Sequence, residues 1–221
     1  LLKGDMPANK QSVFEGVNTT WSRVESGEKV GRILAKAEAE FQYEKPEAVS
    51  PLLLEALREM EKLEEGYWKN IKLQELREII IGAMGLYAEA VAEDYSATPG
   101  ETIELTMEVI NRSSAQARLQ SVEYLPMGVD STLSLDLEDN QQYEFYKKLE
   151  LPSSIDYTNP YWLNKPWQLG MYTVESQQLR GLPETPRPLK VYFNLIVEGQ
   201  PLRIEREEIG RASCRERVCH R

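Results

Sequence analysis

The side chains best suited to covalent or metal chemistry are confined to one end of the chain. The single histidine, His220, and both cysteines, Cys214 and Cys219, fall within residues 208–221. General acid–base catalysis at neutral pH most often uses histidine, and a nucleophilic triad needs one within hydrogen-bond reach of its serine or cysteine. Residues 1–207 contain no histidine or cysteine, so no catalytic residue is assigned there. Zinc draws on Cys, His, Asp and Glu, whereas carboxylates alone suit hard cations such as calcium. Asp136, Glu138 and Asp139 lie beside a turn but lack the glycine and terminal glutamate of a calcium loop. A solvated turn is the expectation, with no metal site and no cofactor in this chain. Cys214, Cys219 and His220 offer three ligands at a spacing unlike the usual zinc pairs. No glycine-rich phosphate loop is present.

What remains is binding chemistry. Asn159-Pro160-Tyr161-Trp162-Leu163, Trp167 and Leu169-Gly170-Met171-Tyr172 concentrate aromatic rings in one stretch. Tyr161, Trp162, Trp167 and Tyr172 are the candidate site: exposed rings stack on the apolar faces of sugars, which would make a glycan platform. The competing expectation is that Trp162, Trp167 and Tyr172 plug the end of a small core, since large rings are mostly buried. Asn18-Thr19-Thr20 and Asn111-Arg112-Ser113 fit the N-glycosylation triplet, a pattern common by chance.

The elements that would carry these residues follow from hydrophobic period. Val30, Ile33, Leu34, Ala37 and Phe41 recur at helical steps between Gly27 and Pro46. Ser50-Pro51 reads as an N-cap with proline at the first helical position, and Leu54, Leu57, Met60 (or Glu61) and Leu63 continue the stripe to Gly66. A third helix is expected over Tyr67 to Ala92, with Leu76, Ile79, Ile80, Ala83, Leu86, Tyr87, Ala90 and Val91 forming a wide apolar face that needs a partner. From Thr98-Pro99-Gly100 onward the period changes to alternation. Ile103, Leu105, Met107 and Val109 mark a half-buried strand, followed by a second over Ala115 to Leu125 with a bulge near Gln120 and Ser121. Leu133, Leu135 and Leu137 with Tyr143, Phe145, Leu149 and Leu151 predict a hairpin around Glu138–Gln141. A long loop over residues 152–188 precedes a last hairpin turning at Gly199-Gln200.

The expected fold class is therefore α+β: about three helices followed by an immunoglobulin-like antiparallel β-sandwich. The domain expectation is a linker over 1–26 from a missing upstream domain, a helical segment over 27–94, a β-sandwich over 95–207 and a tail over 208–221. The start, Leu1-Leu2-Lys3-Gly4-Asp5, lacks an initiator methionine and a signal-peptide core, which suggests a piece of something longer.

The tail reads as foreign. Ile209-Gly210-Arg211-Ala212-Ser213-Cys214-Arg215-Glu216-Arg217-Val218 resembles a translated sequencing adapter, matching ATC GGA AGA GCG TCG TGT AGG GAA AGA GTG in one frame. It has no period that would bury a face, so it has no reason to pack. The competing reading is a basic tail that holds a metal or an acidic partner; Cys219, His220 and Arg221 lie past the adapter match.

Composition limits the partners. Hydrophobic residues at 41% and charged residues at 28% belong to a chain that folds. Arg211, Arg215, Arg217 and Arg221 against Glu208 and Glu216 give residues 208–221 a charge of +2, so the rest carries −12 of the overall −10. That balance argues against nucleic acid, which needs a surplus of Lys and Arg. No stretch approaches the about 18 consecutive apolar residues of a membrane span.

Several short motifs occur together in order: Ser12-Val13-Phe14-Glu15-Gly16-Val17, Thr20-Trp21-Ser22-Arg23, Gly66-Tyr67-Trp68, Tyr95-Ser96-Ala97-Thr98-Pro99-Gly100, Ile110-Asn111-Arg112-Ser113, Tyr161-Trp162-Leu163, Leu169-Gly170-Met171-Tyr172 and Gly181-Leu182-Pro183-Glu184. Over about residues 12–207 the chain resembles the region downstream of the catalytic domain in large bacterial PIG-L (LmbE-like) deacetylases. The resemblance implies a parent enzyme that removes acetyl groups from N-acetylated sugars with zinc-activated water. Its zinc is held by a His-Pro-Asp-Asp motif and a further histidine on a missing Rossmann-like domain. None of those residues has a counterpart here, so no catalytic position is carried over. An extracytoplasmic parent, the missing catalytic domain as partner and a glycan as possible ligand are further implications. Two alternatives stay open, a carbohydrate-binding or adhesin-like module with no enzyme attached, and a pure spacer.

Overall fold

The computed structural model describes residues 17–94, 96–207 and 209–210, with the backbone alone at 129, 130, 209 and 210. The chain divides into two compact units, residues 1–85 and residues 86–221. Of the sequence motifs, residues 12–16 and Tyr95 lie outside the described residues.

The first unit is built on α1 (Glu28–Glu40), α2 (Ser50–Glu61) and α3 (Tyr67–Ala83). α1 and α3 both pack on α2, which accordingly buries Leu53, Leu54, Ala56, Leu57 and Met60. Met60, rather than Glu61, continues the stripe inward. Residues 18–26, expected to be linker, belong to this unit: Trp21–Arg23 form a 3-10 turn. Asn18 shapes that entry, its Oδ1 accepting from the Thr20 backbone N–H at 3.0 Å. Gly31 lets the turn approach, because a Cβ there would stand 2.9 Å from that of Trp21.

Three helical expectations need correction. Ser50 is the first helical residue and caps nothing; its hydroxyl donates to the Glu47 carbonyl at 2.7 Å, within a 3-10 turn opened by Pro46. Phe41 and Ile79, assigned to apolar stripes, are exposed. The third helix stops at Ala83, not Ala92. Gly85 takes φ +60°, the left-handed conformation that terminates helices, and its N–H donates to the Gly82 carbonyl at 3.1 Å. The residues beyond it form a strand, so the wide face expected of one long helix does not exist. What remains of it, Leu76 and Ile80, is buried within the unit.

Among the described residues of the second unit, the strands in antiparallel pairs are β1 (Leu86–Ala92), β2 (Thr102–Asn111), β3 (Ala117–Leu125), β4 (Val129–Leu137), β5 (Gln142–Glu150), β6 (Lys190–Val197) and β7 (Gln200–Glu207). They form two sheets, ordered β5-β2-β1 and β4-β3-β6-β7. In β2 the alternation is as the sequence predicts, with Ile103, Leu105, Met107 and Val109 buried. β3 slips register between Leu119 and Ser121, at the expected bulge. The two sheets share a core that includes Leu105, Met107, Leu119, Tyr124 and Phe193, and the Tyr124 hydroxyl donates to the Met107 sulfur at 3.2 Å across them. β6 and β7 form the expected hairpin, turning through Glu198 at φ +47° and Gly199 at φ +72°.

β4 and β5 do not form a hairpin. β4 pairs with β3 and β5 pairs with β2, so the Glu138–Gln141 corner carries the chain from one sheet to the other. A short strand, β8 (Ile209–Gly210), pairs in parallel with Val91 and Ala92, where no packing was expected. The rest of the adapter-like tail lies outside the described residues.

β1 also carries a phenol held back from ionising. The Tyr87 hydroxyl donates to the Glu89 carboxylate at 2.8 Å, and that bond, with burial, pushes the phenol up to about 12. Since the folded-state value is raised, the stability it brings is complete below the ordinary tyrosine value of 10.0 and is lost as pH rises through about 12. Ultraviolet titration of tyrosinate should find one late-ionising phenol that returns to the ordinary range in Glu89→Gln.

Candidate functional site

The loop between β5 and β6 is long, yet its own contacts fix it. Leu151 is anchored by its N–H to the Glu101 carbonyl at 2.8 Å. Pro160 opens a 3-10 turn over Tyr161–Leu163. Tyr161 ties that turn to the far limb: its N–H donates to Thr185 Oγ1 at 2.9 Å and its hydroxyl to the Leu182 carbonyl at 3.0 Å. Thr185 returns a bond to the Asn159 carbonyl at 2.8 Å. Trp162 meets Tyr161 edge to face at 4.9 Å. Further along, Arg180 donates twice to the Val174 carbonyl, at 3.0 and 2.7 Å. Lys165 pairs with Glu175.

Within this frame the four candidate rings have different surroundings. Tyr161 is only 8% exposed and both its polar groups are engaged, so it is a peg of the loop. Trp162 is half-buried against it. Trp167 and Tyr172 are 65% and 60% exposed. Gln168 and Met171 exchange both backbone bonds, at 3.0 and 2.9 Å, around Gly170 at φ +81°. Trp167 and Tyr172 are the residues just outside that pair. Leu169 and Met171 at the tip are exposed as well.

The roots of the loop contribute a feature that aromatic spacing did not reveal. A cavity of about 340 Å³ lies between the residues after β1 and both ends of the loop, lined in part by Asp94, Asp156, Tyr157, Thr158 and Arg187. Tyr157 is an exposed ring beside hydroxyl and carboxylate groups, a combination suited to a polar ligand with apolar faces. Asp156-Tyr157-Thr158 was visible in the sequence; its pairing with Asp94 depends on tertiary structure.

The remaining candidates resolve as structural parts. Asp136 is held by Arg118, whose Nη2 donates to Oδ2 at 3.1 Å, and that guanidinium draws the carboxyl below its ordinary value. Asp139 accepts from Asn140 at 2.7 Å. Among the described residues no group of three or more His, Cys, Asp or Glu is placed to hold a metal ion. Asn111 of the second glycosylation triplet is buried, with Nδ2 donating to the Ala115 carbonyl at 2.9 Å, which leaves its amide inaccessible in the folded chain. Asn18 of the first triplet is exposed. No described helix is long and apolar enough to cross a membrane.

No family model matches the sequence, and no curated protein matches it. Among solved structures, the chain is similar to the sporulation control protein Spo0M from Bacillus subtilis, with TM-score 0.32 and 12% identity over 57% of this chain and 49% of that one. It is also similar to the alkylpurine DNA glycosylase AlkC of Pseudomonas fluorescens, bound to DNA containing an abasic site analog, with TM-score 0.24 and 12% identity over 77% of this chain and 49% of that one. The chain thus spans about half the length of each solved chain, and at these scores neither likeness defines its fold or its chemistry.

Proposed function

We propose that this chain is the non-catalytic accessory region of a bacterial PIG-L (LmbE-like) N-deacetylase, and that its loop over residues 152–189 holds a glycan. The observation that carries the glycan reading is the conformation of that loop. A loop serving only as a plug would bury its rings; this one is pegged by Tyr161 while Trp167 and Tyr172 face solvent. Exposed aromatic rings offer large apolar faces to a sugar.

The β unit is proposed to be an immunoglobulin-like sandwich. What supports this is the division of the antiparallel strands into two sheets, β1, β2 and β5 in one and β4, β3, β6 and β7 in the other. The parent is proposed to be extracytoplasmic. The zinc of such an enzyme supplies an activated water; its ligands would be histidines and an aspartate of the catalytic domain. Residues 1–207 offer no histidine or cysteine, and the described carboxylates form no metal-holding group. The residues present do not fit the metal, so no hydrolytic step is assigned to them.

The second reading, a free-standing carbohydrate-binding or adhesin-like module, draws on the same pegged loop. The DNA upstream of the codon for Leu1 separates them: a His-Pro-Asp-Asp segment in frame within a few hundred codons supports the deacetylase, and a signal peptide directly before Leu1 supports the module. Purified with zinc, the chain should release no acetate from N-acetylglucosamine oligomers. Zinc-dependent release that survives removal of residues 208–221 would overturn the non-catalytic assignment.

A further inference from the structure

The cavity at the roots of the β5–β6 loop differs from the rest of that loop in what its polar side chains do. Elsewhere in the loop Tyr161, Lys165 and Arg180 are each engaged by the loop itself. Around the cavity, the side chains of Asp94, Asp156, Tyr157 and Thr158 make no hydrogen bond or ion pair among the described residues. The charged lining is Asp94 and Asp156 against Arg187 alone, so it is net negative.

The walls are held by backbone and threonine bonds that leave those side chains free. Leu151 N–H donates to the Glu101 carbonyl at 2.8 Å, and Ile155 N–H donates to the Pro152 carbonyl at 3.1 Å, closing the turn that leads into Asp156. Thr185 ties the far limb to the near one, accepting the Tyr161 N–H at 2.9 Å and donating to the Asn159 carbonyl at 2.8 Å. Ile103 and Leu151, both buried, supply apolar lining. At about 340 Å³ the cavity stands at the lower end of the roughly 300–1,000 Å³ usual for ligand sites, which suits one sugar unit rather than an extended chain.

We propose that this cavity takes an amino sugar unit, with its ammonium set against Asp94 and Asp156 and its ring against Tyr157. The inference rests on the glycan reading and specifies the sugar. Two carboxylates without partners on a net negative lining favour a cation, and a neutral or anionic sugar forgoes that gain. Calcium fits less well, because it takes about six to eight oxygen ligands. Among the described residues no group of three or more acidic side chains is placed to hold it. A lysine side chain would match the charge alone. A sugar also engages the hydroxyls of Ser96 and Thr158 and lays an apolar face on Tyr157, which is 69% exposed.

Calorimetric titration of the full chain tests this by comparing oligomers of glucosamine with oligomers of N-acetylglucosamine, which lack the ammonium. The glucosamine oligomers should bind about five- to tenfold more tightly, by a margin that shrinks as salt is raised. Asp94→Asn and Asp156→Asn, conservative changes at exposed positions, should each cut that margin about two- to fivefold, and the double substitution should remove it. The chain as a whole is acidic, at −10, so a margin that survives the double substitution is general attraction for polycations and overturns the proposal. Glucosamine oligomers that bind the unaltered chain no more tightly than the acetylated ones overturn it as well. With N-acetylglucosamine oligomers still bound, either result leaves the glycan reading standing; no binding of either sugar would overturn both.

Discussion

Phe193→Ala is expected to destabilise the β unit by about 3–5 kcal/mol, as large-to-small changes of core aromatic residues do. Phe193 has no exposed surface and sits mid-strand in β6, opposite Val122 of β3 on one side and Ile204 of β7 on the other. Both partners are themselves buried, so no neighbour can move in without leaving its own place, and a cavity stays behind. Urea unfolding followed by far-ultraviolet circular dichroism would measure it. A loss under about 1 kcal/mol would mean that the two sheets do not share this core.

Asn111→Ala should cost about 2–4 kcal/mol although it removes no hydrophobic surface. The side chain ends β2 and fastens the next segment: Nδ2 donates to the carbonyls of Ala115 at 2.9 Å and Leu137 at 3.3 Å. Its Oδ1 accepts from the N–H and hydroxyl of Ser113, at 3.2 and 3.1 Å. Alanine leaves these buried groups without partners. Asn111→Asp should be nearly as damaging, because a carboxylate would face two carbonyl oxygens. Asn18→Ala, at an exposed position in the same triplet pattern, should change stability by less than about 1 kcal/mol. Parallel unfolding of the three variants would check this; equal effects at Asn111 and Asn18 would contradict the structural role.

The elements legible in the sequence were those whose signal is local. Ile103, Leu105, Met107 and Val109 alternate with polar residues, and nothing distant is needed to make β2 of them. The bulge at Gln120 and the β6–β7 hairpin were readable for the same reason, a phase slip in one case and a glycine at the turn in the other. Leu86–Ala92 failed because its leucine, alanines and glutamate are helix-forming residues that tertiary pairing places in a strand. Gly85 was the available signal, a helix terminator followed by a fresh alternation of buried Leu86, Ala88, Ala90 and Ala92. The pairing of β4 and β5 was not readable at all. Two amphipathic strands around a polar corner look alike whether they join each other or cross between sheets.

The site divided along similar lines. Aromatic clustering located the loop, but exposure is a property of surroundings: Tyr161 and Trp162 are adjacent to each other and close to Trp167, yet burial falls from the first to the last. Trp167 lies beside the tight turn closed by Gln168 and Met171, a feature of the backbone that ring spacing alone does not reveal.

The most direct test of that arrangement is a titration of the full chain with oligomers of N-acetylglucosamine and of glucosamine, following tryptophan fluorescence. The account predicts a saturable change that weakens about three- to tenfold in Trp167→Ala and in Tyr172→Ala, with the unfolding midpoint unmoved in both. A flat signal across neutral and amino sugars, or binding indifferent to both substitutions, would contradict it.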